Sequence, residues 1–180
     1  MNASVSRRIE LSAVTAAGLE RSIAAGSAEL AALATAYDIP EVRALAADLA
    51  VSREAGGVIR VNGRVTAEIV QTCVVSLVPV EQSIDEAVDV RLVEAGSRRA
   101  ETPARPSAEV MTDPGESNPP DLLFGTTIDL GAIAVEHFLL AVDPYPRAPG
   151  AELPAEAADP APGASDSPFA GLARLRGGTG

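Results

Sequence analysis

The chain has 180 residues, 47% of them apolar, and a formal net charge of −11. This size predicts a soluble chain of one domain, or one domain with tails. A single Cys and the lack of a glycine period exclude a disulfide scaffold, a zinc finger and a collagen. The pI of about 4.5 excludes the strongly basic surface of a typical nucleic-acid-binding domain.

The first twenty residues give no sign of a targeting segment. They contain Arg7, Arg8, Glu10 and Glu20 and lack the apolar core of a signal peptide. No stretch approaches 18 uncharged apolar residues, so no membrane-spanning helix is predicted. A single Cys suits a reducing compartment, and we therefore expect a cytoplasmic protein with no membrane partner.

The first part of the chain predicts two strands and a helix. Residues 5–11 and 19–25 alternate as strands do. Residues 27–37 have a helical pattern, with Ser27 as the expected N-cap. Residues 40–54 remain ambiguous, because their apolar positions fit a helix and a strand equally well and alanine-rich propensity is a weak guide.

The clearest pattern is GGVIRVNGRVTAEIVQTC (56–73), where apolar residues hold the odd positions and polar residues the even ones. Asn62-Gly63 is by itself a hairpin signal, but a two-residue turn there would bury Arg64 and expose Val65. The unbroken alternation favours one long strand with a bulge at Gly63. After Pro79, residues 82–94 predict a returning antiparallel strand whose inward side chains are Ile84, Val88, Val90 and Leu92.

Two segments rich in Pro, Gly, Ser and charge, 96–120 and 147–167, lack an apolar period. They cannot bury enough apolar surface to offset the entropy of ordering. We therefore interpret the first as a mobile, disordered insertion loop within a single domain of residues 1–146. Residues 147–180 are interpreted as a Pro/Ala-rich linker followed by a short helix.

Residues 121–150 contain the second clear pattern. Leu122 to Thr127 predict a short strand, and Asp129 is the expected N-cap of a mostly buried helix over 129–142. The predicted fold is α+β: an antiparallel, strongly twisted sheet, either open or barrel-like, packs against helices 27–37 and 129–142.

Three segments in this order resemble the YceD family, the large ribosomal RNA subunit accumulation proteins. They are residues 56–94, IDLGAIAVEHFLLAVDPYPRAPG (128–150) and PFAGLARL (168–175). Relatives carry a strand just before the glycine-rich one, so the resemblance implies a strand over about 42–53. It also implies participation in large ribosomal subunit formation and no enzymatic reaction.

The chain departs from many relatives at the turn after the long strand. Those relatives carry Cys-x-x-Cys there and a second cysteine pair after the long helix, a set that would suit a four-thiolate zinc site. Here Cys73 precedes Val74, Val75 and Ser76, and no Cys follows the helix. One thiolate cannot form such a site, so we expect no metal and no cofactor.

Most of the distinctive single residues have structural interpretations. Cys73 has apolar neighbours, which would raise its pKa and make the thiol inert. His137, the only His, is expected to be packed or half-exposed, and Asp129 and Pro79 are also expected to be structural. Glu136 lies on a mainly apolar helix and therefore needs a partner or a solvent-exposed edge. An internal Arg partner is the structural interpretation, and a contact surface for another molecule is the functional one.

The candidate contact residues are mostly arginines. Arg60 and Arg64 on the long strand, and Arg174 and Arg176 near the C-terminus, could bind phosphate. Phe169 belongs to an apolar C-terminal segment that docks either on its own domain or on a partner. Neither half of the chain is basic and aromatic residues are few, which disfavours base stacking.

The resemblance implies a non-enzymatic factor in ribosome biogenesis that supports accumulation of large-subunit ribosomal RNA. An acidic chain suits a basic ribosomal or assembly protein as its partner better than it suits direct contact with ribosomal RNA. One alternative is a small-ligand-binding β domain with a pocket between sheet and helix. Direct RNA binding is a second alternative, and a hydrolase built on Glu136 and His137 is a third.

Overall fold

The computed structural model describes residues 5–15, 17–96 and 120–152. The chain order of the elements in these ranges is β1 (Arg8–Glu10), a short 3-10 helix (Leu11–Ala13), β2 (Leu19–Ala24), α1 (Ser27–Ala36), β3 (Glu41–Arg53), β4 (Val58–Thr72), β5 (Pro79–Glu94), β6 (Asp121–Leu123), β7 (Thr127–Asp129) and α2 (Leu130–Ala141). The predicted α+β class is confirmed.

The main sheet has five strands in the order β2-β3-β4-β5-β6, and a second, two-stranded sheet pairs β1 with β7. All neighbouring strands are antiparallel except β5 and β6, which are parallel. Because β2 and β6 remain its two edges, the main sheet is open and the suggested barrel closure is wrong. The ambiguous segment 40–54 is the strand β3, as the family resemblance implied.

The long strand β4 is confirmed as one uninterrupted element. It pairs with β3 and β5 through Asn62 and Gly63 without a shift in register, so the bulge predicted at Gly63 is wrong. The pairing of β3 with β4 does shift in register at another place, between Val42 and Ala44 of β3. Burying one face of β4 requires a strict two-residue period, and the unbroken register maintains it.

Gly63 is needed for close approach of two backbones rather than for a bulge. Its φ is +155°, and a Cβ added there would lie 2.0 Å from the carbonyl oxygen of Asp48 and 2.9 Å from Cα of Leu49. Both neighbours belong to β3, so a side chain at this position would force the centre of β3 away from β4.

The core lies between one face of the main sheet and the helices. The predicted inward residues of β4 are all buried: Ile59, Val61, Val65, Ala67 and Ile69. On β5, Ile84, Val88 and Leu92 are buried, whereas Val90 is only partly buried. Helix α2 covers β4 and β5 and inserts Phe138, which is fully buried, into this core.

Helix α1 begins one residue earlier than predicted, with Gly26 rather than Ser27 at the N-cap. The cap comes from Glu29, whose Oε2 accepts a hydrogen bond from the N–H of Gly26 at 2.8 Å. The same carboxylate accepts two hydrogen bonds from Arg7 at 2.9 and 3.0 Å. The Arg7 hydrogen bond, together with the Gly26 N–H, lowers the pKa of Glu29. The N-terminal segment is thereby joined to α1.

The strand predicted over 122–127 is also wrong. Gly125, with a φ of +91°, separates β6, which joins the main sheet, from β7, which pairs with β1. Similarly, the strand predicted over 5–11 is restricted to β1. Periodicity alone does not reveal a sharp change of direction between two three-residue strands.

Candidate partner-binding surface

The side of the main sheet that faces away from the helices is called the outer face here. Its side chains come from the even-numbered residues between Ala44 and Ser52 of β3 and between Arg60 and Glu68 of β4, and from the residues paired with them on β2 and β5. One cross-strand row, for example, consists of Ser22, Asp48, Arg64 and Ala87. These rows combine small, polar and charged residues, so the face is polar.

The structure brings both predicted contact arginines of β4 to the outer face, where each pairs with a carboxylate of β5. Arg60 Nε and Nη2 donate to the two carboxylate oxygens of Asp89 at 2.7 and 2.9 Å. This bidentate hydrogen bond lowers the pKa of Asp89 and raises that of Arg60. Arg64 donates a single hydrogen bond, from Nη1, to Oδ1 of Asp85. The charges of both arginines are therefore offset within the sheet.

Other charges make the outer face acidic. Glu54, beside the face, accepts a hydrogen bond from Arg91 at 3.0 Å and lies 3.6 Å from Arg60. Within the described ranges, the acidic residues of the outer face that lack an ion-pair partner are Glu20, Asp48 and Glu68. The face as a whole presents excess negative charge to solvent.

A shallow groove crosses the outer face above Gly63. It has a volume of about 360 Å³ and is lined by Glu20, Arg21, Asp48, Ala50 and Asn62, among others. The short side chain of Ala50 leaves space between the flanking charged residues, and Gly63 also contributes to the lining. The lining of this groove is therefore polar, with the carboxylates of Glu20 and Asp48 beside one arginine, Arg21.

Asp129 is confirmed as the N-cap of α2. Its Oδ1 accepts hydrogen bonds from the N–H groups of Gly131 and Ala132 at 3.1 and 3.2 Å, and from that of Arg7 at 2.8 Å. Partial burial opposes ionisation, but the hydrogen bonds from Ser6 and from these N–H groups outweigh it and lower the pKa of Asp129. The residue therefore joins α2 to the N-terminal segment.

Cys73 lies in the turn between β4 and β5 and is fully buried. The backbone N–H groups of Ala148 and Ser76 each donate to its Sγ at 3.3 Å. These hydrogen bonds lower the thiol pKa to about 6. The predicted rise in pKa is therefore wrong, because the apolar neighbours in sequence do not supply the groups that contact the sulfur. The contact also ties the segment after α2 to this turn.

We expect the stability contributed by Cys73 to depend on pH. The thiol of Cys73 has a lower pKa in the folded than in the unfolded chain, so its ionisation stabilises the folded state. This stabilisation is fully present above the pKa of the unfolded chain and is lost as the pH falls through about 6. The free energy of unfolding of the wild type, relative to Cys73→Ala, should therefore increase between pH 6 and pH 9. Urea unfolding at several pH values measures this difference, and a constant difference would contradict the hydrogen-bonded thiolate.

The other predicted residues do not form a common site. Glu136 is exposed on α2, and in the described part of the chain no ion pair joins it to an arginine, so the internal Arg partner stays a prediction. Exposure removes the need for such a partner. His137 is half-buried, and Pro79 is the exposed first residue of β5. Phe169, Arg174 and Arg176 lie outside the described residues.

Sequence reasoning missed the partners that neutralise Arg60 and Arg64. The sequence placed Asp85 and Asp89 at polar positions of the returning strand. It did not reveal the register between β4 and β5, which determines the arginine that each aspartate contacts. Fixing the register requires knowing that Thr72 pairs with Pro79 across the turn. The acidic groove above Gly63 depends in the same way on the register between β3 and β4.

Comparison with known proteins gives one match. The sequence model of the family described as "Large ribosomal RNA subunit accumulation protein YceD" matches residues 61–176, more than half of the chain. No curated protein and no solved structure matches significantly. In the described ranges, no helix has the length and apolar character needed to cross a membrane, and no group of three or more potential metal ligands occurs.

Proposed function

The chain belongs to the YceD family of large ribosomal RNA subunit accumulation proteins, and from this premise we propose that it supports large-subunit assembly by binding a basic ribosomal or assembly protein through its outer face. The family name implies the coarser role, in accumulation of large-subunit ribosomal RNA. The proposal adds the mode of action, which is a protein contact in the cytoplasm rather than a catalysed reaction.

The single observation that carries the proposal is the charge pattern of the outer face. Arg60 and Arg64 already have carboxylate partners on β5, whereas Glu20, Asp48 and Glu68 have no described arginine partner. Ribosomal proteins that bind RNA are basic as a class, because they neutralise phosphates. Complementary charge would steer such a protein to this face and increase its association rate.

The same pattern argues against RNA as the direct ligand of this face. A phosphate would have to displace Asp85 or Asp89 from its arginine and would then lie beside carboxylates. The face also lacks aromatic side chains on its described strands, and single-stranded RNA is usually bound by stacking on such side chains.

The proposal predicts the phenotype of cells that lack the protein. Sucrose-gradient profiles of such cells should show depleted large subunits, and the wild-type gene should restore them. A triple variant, Glu20→Arg, Asp48→Arg and Glu68→Arg, should fail to restore them, because three reversed charges repel a basic partner and should weaken its association about tenfold or more.

Arg64→Ala is the matched control for this experiment. It changes an exposed residue of the same face, makes the face more acidic and should leave complementation intact. Circular dichroism verifies that every variant is folded. Unchanged profiles in cells lacking the protein would refute the role itself. Loss of complementation by Arg64→Ala with full activity of the triple variant would instead indicate direct RNA binding.

A further inference from the structure

A groove lined by both polar and apolar residues lies at the end of the sheet where β4 turns into β5, and it is called the turn-end groove here. Its volume is about 540 Å³, and its apolar lining consists of Tyr37, Ile39, Pro40, Val74, Val142 and Pro144. Tyr37 and Val74 are 44% and 48% exposed, and Leu77 in the same turn is 74% exposed. Apolar side chains in the groove and in the adjoining turn are therefore in contact with solvent.

The backbone around the groove is also unusual. Within the described ranges, the residues other than glycine with positive φ are Asp38 at 54° and Leu77 at 62°, and both belong to this end of the molecule. A bulky, exposed leucine in the left-handed region is unfavourable compared with glycine. Leu77 therefore exposes an apolar side chain in the turn beside the groove.

We propose that residues 168–175, PFAGLARL, of the same chain occupy the turn-end groove. This inference goes beyond the proposed function, because it concerns a contact within the chain and a different surface. The segment supplies Phe169, Leu172 and Leu175 to the apolar lining. The family match extends to residue 176 and therefore includes this segment together with the domain.

The path of the chain brings the tail to the groove. Asp143 and Pro144 line the groove, and the carbonyl oxygen of Pro146 accepts a hydrogen bond from the N–H of Val74 at 2.9 Å. The N–H of Ala148 donates to Cys73, so the chain is still beside the turn there. A flexible coil of the length of residues 153–167 would have an average span of about 19–23 Å. This is sufficient to return to a groove that begins beside Pro146.

Charge favours the same occupant. The turn-end groove contains Asp38 and Asp143, and no described arginine pairs with either carboxylate. The proposed segment carries Arg174 and is followed by Arg176. Even a weak contact would be populated, because a short tether holds the segment at an effective concentration in the millimolar range.

Trypsin cleavage of the full-length protein tests the proposal. The chain has no Lys, so trypsin cleaves only after arginines, including Arg174. An effective concentration of about 4 mM and an affinity of about 1 mM would leave roughly one fifth of the tails undocked and slow this cleavage about fivefold. The double variant Tyr37→Ser and Val74→Ser, at half-exposed positions, should remove that protection. Phe169→Ser should have the same effect.

Two controls make the result specific. Leu122→Ser changes an exposed leucine of β6, at the opposite end of β5, and should preserve the protection. Cleavage after Arg98 in the same molecules is the internal reference, and its rate should not change. If the groove variants leave the ratio of the two cleavage rates unchanged, the proposal is wrong. Protection that increases with protein concentration would assign the groove to a second copy and would also overturn it.

Discussion

Replacement of Gly63 by valine should destabilise the protein by about 3 kcal/mol or more, although strand propensity alone predicts the opposite. A Cβ at this position would lie 2.0 Å from the carbonyl oxygen of Asp48, and the φ of +155° is unfavourable for any residue with a side chain. Because Gly63 is in the middle of β4, relief of the clash requires that β3 separate from β4 at the centre of the sheet.

Urea unfolding followed by circular dichroism measures this effect. Asn62→Val is the matched control, because it places the same side chain at the adjacent, exposed position of β4. The control should unfold near the wild-type midpoint or slightly above it. A midpoint for Gly63→Val equal to that of the wild type would show that the two strands are not in the described close contact.

The second large effect is expected at Gly131, in the first turn of α2. Helix propensity predicts that Gly131→Ala is stabilising by up to about 1 kcal/mol. The packing predicts destabilisation, because the added Cβ would lie 1.6 Å from the carbonyl oxygen of Val5 and 3.0 Å from the nitrogen of Arg7. Val5 is almost completely buried, so displacing it should cost on the order of 2–4 kcal/mol.

A local measurement identifies the cause. The N–H of Leu130 donates to the carbonyl oxygen of Arg7 at 3.1 Å, so hydrogen exchange at Leu130 should accelerate when the N-terminal segment is displaced. Ala132→Gly, at the next and exposed position, should cost about 1 kcal/mol through propensity alone and should leave that contact in place. A stabilised Gly131→Ala variant would contradict the packing of β1 against α2.

The elements that could be predicted correctly from the sequence are those in which a single physical requirement determines the residue pattern. Burial of one face of β4 requires a two-residue period, and that period identified the long strand despite Asn62-Gly63. Similarly, an aspartate before an apolar helix has few roles other than the N-cap that Asp129 forms. These features are local, so they could be read without knowledge of the rest of the fold.

Features that depend on contacts between distant segments could not be predicted. The pKa of Cys73 is lowered by the N–H of Ala148, which is 75 residues further along the chain. The environment of Arg60 depends on Asp89 across a long turn, and the role of Gly63 depends on Asp48 in another strand. The alternation in 40–54 was equally ambiguous, because only pairing with β2 and β4 selects the strand.

The parallel pairing of β6 with the end of β5 has a consequence for how the family can vary. Asp121 pairs with Leu92, and the N–H of Ala95 donates to the carbonyl oxygen of Leu123, so the chain leaves the sheet and rejoins it at the same place. The entropic free-energy cost of closing such a loop increases only with the logarithm of its length, by about 0.6 kcal/mol for each doubling. Evolution can therefore lengthen or shorten the segment between residues 96 and 120 at little thermodynamic expense, while the junction at its base stays the same.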